Sequence, residues 1–135
     1  MQSTDKSFFF FVYDELIRRK MFERNPHSYG EYVFVRADLG RLSYKTSYIV
    51  EKASDEDIII VDSHARAVDM KLSLRQHGKP NIPVVSAKEQ NFFRGKRQSF
   101  NIMWIDECNR RILDDFFPLI HFNLVSLVVI MGDFK

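Results

Sequence analysis

The 135-residue chain reads as a single α/β domain, a largely parallel five-stranded sheet with helices on both faces. Three observations predict it. Short apolar runs such as Ile58 to Val61, Ile102 to Ile105 and Leu124 to Met131 are continuous rather than alternating, as in strands covered on both faces. Several of the stretches between them carry apolar residues at helical spacing and end in glycine or proline. Strand-like and helix-like stretches alternate along most of the chain, which is the order a parallel sheet requires.

Taken in order, residues 7–24 read as a helix that Ser7 could cap, with Phe9, Val12, Tyr13, Leu16 and Ile17 on its apolar face. Arg18, Arg19, Lys20 and Arg24 gather toward its C-terminal end, where they complement the dipole, and Asn25-Pro26 breaks it. The first strand is expected at 32–35, followed by a loop to Tyr44 and a short helix at 46–53. Asp55-Glu56-Asp57 makes an acidic turn before a strand at 58–61. A helix at 65–77 follows, with Ala67, Val68, Met70 and Leu74 inward and Gly78 as its stop; Asp62 or Ser63 caps its start. Strands at 84–87, 101–105 and 124–131 and a helix at 109–121 complete the pattern. Residues 1–29 therefore form an N-terminal helix and connection, and residues 30–135 the α/β core.

Composition narrows the function classes. A net charge of +2 does not by itself mark a nucleic-acid binder, and a single cysteine, Cys108, excludes an internal disulfide. The apolar run Phe8 to Tyr13 is too short to span a bilayer, is closed by Asp14 and Glu15, and has no small-residue cleavage site. A cytoplasmic protein, not secreted and with no membrane partner, is the expectation. His27, His64, His77, His121 and Cys108 lack metal-ligand spacing. Asp62-Ser63-His64 cannot act as a hydrolytic triad, because chain neighbours do not converge on one reacting atom.

Two stretches carry candidate chemistry. The run 101–105 ends in Asp106-Glu107; at the carboxyl end of a buried parallel strand, the first acid can hold Mg²⁺ and the second can orient an attacking water. The alternative is a buried strand followed by an ordinary acidic turn. Strand, loop, Lys45-Thr46 and helix form the skeleton of a phosphate cradle, with an ammonium for phosphates, a hydroxyl for Mg²⁺ and amides at a helix N-terminus. Between Phe92 and Gln98, Arg94, Lys96 and Arg97 interleave with aromatics and Gly95, a composition suited to a phosphate backbone or to stacked bases; a surface turn anchored by two phenylalanines is the alternative.

The order of these parts resembles the core of P-loop NTPases of the helicase and viral packaging-terminase kind, over residues 30–135, and implies that the strand at 101–105 is the most buried, flanked by those at 32–35 and 124–131. Lys45-Thr46 stands at the end of the phosphate loop, Arg94-Gly95 precedes the hydrophobic strand, Asp106-Glu107 stands at the Walker B position, and Gly132-Asp133 resembles a γ-phosphate-sensing motif. The resemblance implies ATP and Mg²⁺ as cofactors, with Gly40, Lys45 and Thr46 at the phosphates, Thr46 and Asp106 at the metal, and Glu107 as the catalytic residue. It also implies nucleic acid as a partner through Arg94, Lys96 and Arg97, leaves a protein partner or homo-oligomer open, and admits a virus-associated location. The phosphate-loop pattern wants glycine at positions 39 and 44; the chain has Leu39 and Tyr44, with Gly40 one place off. A tyrosine forced to positive φ costs roughly 1–2 kcal/mol, and its ring would crowd the phosphate path. Two classes of function follow: a nucleotide-dependent ATPase or subunit of one, and a degenerate P-loop-like domain serving as a structural or protein-binding component, for example in a virus particle.

Overall fold

The computed structural model describes residues 6–22, 33–37, 44–86, 99–106 and 125–131. Within them the chain order is α1 (Lys6–Phe22), β1 (Val33–Ala37), α2 (Lys45–Lys52), β2 (Ile58–Val61), α3 (His64–Gln76), β3 (Val84–Ser86), β4 (Phe100–Asp106) and β5 (Val125–Met131). All strand pairings are parallel, and the order across the five-stranded sheet is β1-β5-β4-β2-β3. The protein is thus an α/β fold built on a parallel sheet. The stretches 88–98 and 109–121, expected as a basic loop region and a helix, lie outside the described residues.

Continuous apolarity in the strands reports what it should. All four residues of β2 are buried, and each such side chain contributes roughly 1.5–3 kcal/mol. Alternate residues then serve opposite faces. Ile59, Val61, Trp104, Leu127 and Val129 join one hydrophobic cluster with Tyr13 of α1, Tyr48 and Ile49 of α2, and Met70 and Leu74 of α3. The three described helices therefore pack on the same face. Ile58, Ile60, Met103, Ile105 and Val128, on the other face, are equally buried. Among the described residues, the expected helical cover is seen on one face.

Three expectations need correction. β4 lies between β5 and β2, not between β1 and β5; β1 pairs with β5 and forms one end of the sheet order. Val68 is 52% exposed, because the inward stripe of α3 is Ala67, Met70 and Leu74, and Val68 is turned a quarter of the way round the helix from it. Ser7 lies within the first turn of α1 rather than ahead of it, since that helix already includes Lys6.

Local chemistry explains the ends of α3. Ser63 is its N-cap in extended backbone, accepting from the Arg66 amide at 3.2 Å. At the other end Gly78 takes φ +74; its amide donates to the Arg75 carbonyl at 3.1 Å, and the Lys79 amide to the Leu74 carbonyl at 2.8 Å. This pair of bonds is a Schellman motif, which needs a left-handed residue and so favours glycine.

The acidic turn contains an unexpected anchor. Asp57 is only 1% exposed, and its carboxylate accepts from the Ser54 amide at 2.9 Å, the Ile102 amide at 3.1 Å and the Trp104 indole at 3.1 Å. The Asn101 amide donates to the Glu56 carbonyl at 2.8 Å, so the start of β4 is tied to the turn that leads into β2. Asp57→Ala strands three N–H donors and is expected to cost about 3 kcal/mol in urea unfolding. Asp55→Ala, at an exposed position two residues earlier, is expected to stay within about 0.5 kcal/mol of the parent. Equal effects of the two would show that the carboxylate is not the tie.

Candidate functional site

The carboxyl ends of the strands line up across the sheet. Ala37 of β1 is registered with Met131 of β5, Met131 with Asp106 of β4, Asp106 with Val61 of β2, and Val61 with Ser86 of β3. In open parallel sheets this edge is where ligands bind, beside the point at which the chain reverses its direction of travel across the sheet. Here the chain leaves β1 at one end, crosses to β2 and β3 at the other, and returns through β4 to β5.

The helix that makes the first crossing brings two of the expected residues to that edge. Thr46, in the first turn of α2, donates its hydroxyl to Oδ2 of Asp106 at 2.9 Å, across 60 residues of sequence. Asp106 ends β4 at 3% exposure, and Lys45, the first residue of α2, is 8% exposed. The face matters: Asp106 follows Ile102 and Trp104 in the alternation of β4, so its side chain belongs to the side on which α2 packs. Lys45, Thr46 and Asp106 therefore share one corner. Gly40, Glu107, Arg94, Lys96, Arg97, Gly132 and Asp133 lie outside the described residues.

The residue before Lys45 takes an uncommon backbone conformation. Tyr44 has φ 60 and ψ 30, in the left-handed region, and is the one non-glycine residue with positive φ among those described. The position where the phosphate-loop pattern has glycine thus adopts a conformation that glycine reaches at no steric cost. The tyrosine ring is 41% exposed and lies against Phe9 of α1, with centroids 5.6 Å apart and planes tilted by 52°.

The remaining turns of α2 are held from three sides. The Tyr48 hydroxyl donates to Asp14 of α1 at 2.6 Å, and Lys52 approaches the same carboxylate at 3.5 Å. Tyr48 also meets Phe10, Tyr13 and Trp104 with ring centroids 5.1, 5.0 and 6.0 Å away. At the C-terminal end the Lys79 ammonium donates to the Val50 carbonyl at 2.9 Å and also to that of Glu51, placing positive charge on the negative end of the helix.

The polar residues after β2 have structural partners. Ser63 caps α3, and Asp62 pairs with Arg66 at 3.3 Å on the surface. No helix among the described residues is long and apolar enough to cross a membrane. Nor do three His, Cys, Asp or Glu side chains among them group as metal ligands. A hydroxyl and one carboxylate, by contrast, suit Mg²⁺, which takes few protein oxygens and fills the rest of its octahedron with water and phosphate. Thr46 and Asp106 fit that cation.

Sequence reasoning missed the contact of Phe9 with Tyr44 and the ties of Asp57 to Ile102 and Trp104 of β4. No local signal pointed to these contacts, because the partners lie 35 and 45–47 residues away; the bond that Asp57 makes within its own turn, to the Ser54 amide, is local and says nothing of β4.

Burial first, and the hydrogen bond to Asp14 second, push the Tyr48 phenol above its ordinary value of 10.0. A group whose folded value is raised contributes stability that is complete below about pH 10 and is lost as pH rises beyond it. Stability of the parent should therefore fall above pH 10 more steeply than that of Tyr48→Phe, read by urea unfolding between about pH 8 and 11. Parallel curves would remove Tyr48 as the group responsible.

No protein-family model matches the chain, and no curated protein matches it significantly.

Proposed function

We propose that the corner formed by Lys45, Thr46 and Asp106 is a nucleotide-phosphate site, and that the chain is a P-loop NTPase-like protein binding Mg²⁺-ATP in association with nucleic acid. The observation that carries the reading is the 2.9 Å hydrogen bond from Thr46 to Asp106. It joins the hydroxyl of a lysine-threonine helix start to the carboxylate at the end of a neighbouring parallel strand, the two oxygens that a phosphate-bound Mg²⁺ needs. The left-handed backbone at Tyr44 supports it from the other side of Lys45.

In this reading each residue has a distinct task. Lys45 supplies a point charge to the phosphates at a helix N-terminus, where the peptide dipoles act in the same sense. Thr46 and Asp106 offer oxygens to the cation. Mg²⁺, when bound, neutralises phosphate charge and orients the terminal phosphoryl group. Glu107, next in sequence to Asp106, is proposed to orient the attacking water. Arg94, Lys96 and Arg97 are proposed to contact a nucleic-acid backbone.

A second reading has its own observation. The Tyr44 side chain stands where the family pattern has glycine, and its ring is engaged with Phe9. The domain would then keep the fold and serve as a structural or protein-binding component without turnover.

Calorimetry with ATP, with and without Mg²⁺, separates the two. For the nucleotide site, the parent binds saturably, Lys45→Ala lowers affinity roughly 10- to 100-fold, and Tyr44→Gly raises it by removing the obstructing side chain. Glu107→Gln keeps binding and loses hydrolysis. An absence of saturable binding at millimolar nucleotide would favour the second reading, and Mg²⁺-dependent turnover that survives both Lys45→Ala and Glu107→Gln would refute the residue assignment.

The nucleic-acid arm is tested separately. Reversing charge at Arg94 and Lys96 should weaken single-strand binding at low salt and flatten its salt dependence, because fewer counterions are released. Unchanged binding by the folded double variant would assign the segment to the surface.

A further inference from the structure

We infer that the exposed aromatic surface formed by Phe8 and Phe11 of α1 together with Tyr44 is a stacking platform for the bases of single-stranded nucleic acid. This use of the surface deepens the nucleic-acid part of the proposed function and rests on it, but does not require the ATP site.

Apolar surface that stays in water is concentrated at this place. Among the described residues, the large hydrophobic side chains left exposed are Phe8 at 53%, Phe11 at 65%, Tyr44 at 41%, Val68 and Leu72. Val68 and Leu72 are aliphatic and lie on α3, whereas the three aromatic residues gather at α1 and the start of α2. Phe8 and Phe11 stand three apart, on the side of α1 turned away from the buried Tyr13. Phe8 meets Phe9 edge-on with ring centroids 5.6 Å apart, and Phe9 meets Tyr44 at 5.6 Å, so these rings form a row. Tyr44 keeps its side chain at a cost. A left-handed tyrosine is roughly 1–2 kcal/mol worse off than glycine, and no side-chain capping bond offsets this. Strain of this kind gathers where a ligand is held.

The charge around the rings selects the partner. α1 carries Lys6, Arg18, Arg19 and Lys20 against Asp14 and Glu15. Both acids are matched by cations, Asp14 by Lys52 at 3.5 Å and Glu15 by Arg18 at 2.7 Å, so the helix has a positive balance. The Lys6 ammonium lies over the Phe10 ring, 5.1 Å from its centroid, which holds a cation beside the aromatic row. An anionic chain that carries flat π surfaces satisfies both features. Each base has a face to lay on a ring, and each phosphate meets positive charge. A protein partner would be served as well by aliphatic side chains of the kind that α3 exposes, and the experiment turns on that difference. Tyr44 directly precedes Lys45, so a strand on this platform borders the proposed nucleotide corner.

The probe is a labelled oligothymidylate of about 15 nucleotides, its binding to full-length variants followed by fluorescence anisotropy at low salt. Phe8→Ala and Phe11→Ala should each weaken binding roughly tenfold, the loss of one stacked base. Both positions are more exposed than buried, so the variants keep the fold, which matching urea unfolding curves check. Phe8→Tyr keeps the ring and should bind as the parent does. Phe8→Leu keeps apolar area without the ring and should lose as much as Phe8→Ala. Tyr44→Gly should act in opposite directions on the two ligands, weakening the strand and strengthening Mg²⁺-ATP. An abasic oligomer of equal length should bind the parent and Phe8→Ala alike, and Val68→Ser with Leu72→Ser should leave strand affinity unchanged. Full strand affinity in all three aromatic variants would overturn the inference, as would full affinity in Phe8→Leu, the latter in favour of a protein-docking surface. A loss confined to charge reversal at Arg94 and Lys96 would overturn the platform and keep the nucleic-acid reading. A parent that binds no strand would overturn both and leave the ATP site standing. Strand binding lost in the aromatic variants, with no ATP binding by the parent, would support the platform and sink the ATP site.

Discussion

The register of β4 between β2 and β5 is the constraint on which the carboxyl edge depends. In a strand, a slip of one residue moves every side chain to the opposite face. In the observed register Trp104 packs toward the helices, and Asp106, two residues on, faces the same way. A slip would turn the carboxylate away from α2 and leave the Thr46 hydroxyl without it. The Asp57 carboxylate guards against this from the far end of the strand: it accepts the Ile102 amide and the Trp104 indole together, and that pair of donors is presented in one register. A buried acid at the amino end of the sheet thereby decides where a buried acid at the carboxyl end points.

The short helix α2 carries the candidate chemistry and is too short to be stable by itself, since isolated helices below about 12–15 residues are marginal in water. Its order comes from contacts with the rest of the chain. Trp104 and the sheet lie beneath Tyr48, α1 grips one flank, and Lys79 satisfies carbonyls at the C-terminal end. The same surroundings tolerate a left-handed tyrosine at the N-terminal end. Strain of this kind concentrates where backbone direction matters for function, and here it falls one residue before the lysine of the candidate cradle.

Asp14 shows how one surface residue serves several purposes. It accepts the Tyr48 hydroxyl, lies near the Lys52 ammonium, and with them fixes the lateral position of α1 on α2. The cation of Lys52 also sits over the Tyr48 ring at 5.8 Å, so the hydroxyl, the carboxylate and the ammonium form one small network around an aromatic group. Networks of this type are sensitive to the loss of any member, which makes the α1–α2 contact more specific than apolar packing alone.

The sequence by itself determined the class of the fold and the order of its described elements. Continuous apolar runs mark strands buried on both faces whatever their neighbours are, and helix stops such as Gly78 act within a few residues, so both are legible from local pattern. It also singled out Lys45, Thr46 and Asp106, because their residue types at the ends of such elements suit phosphate and a hard cation. What it could not specify was adjacency. That β5, the last of the described strands, lies between β1 and β4, that Thr46 bonds Asp106, that Asp57 anchors Trp104 and that the Phe9 ring meets that of Tyr44 are all relations between residues 25 or more apart. Such pairings are decided by which faces can be buried together once the chain has folded back on itself, and local propensity carries no record of that choice.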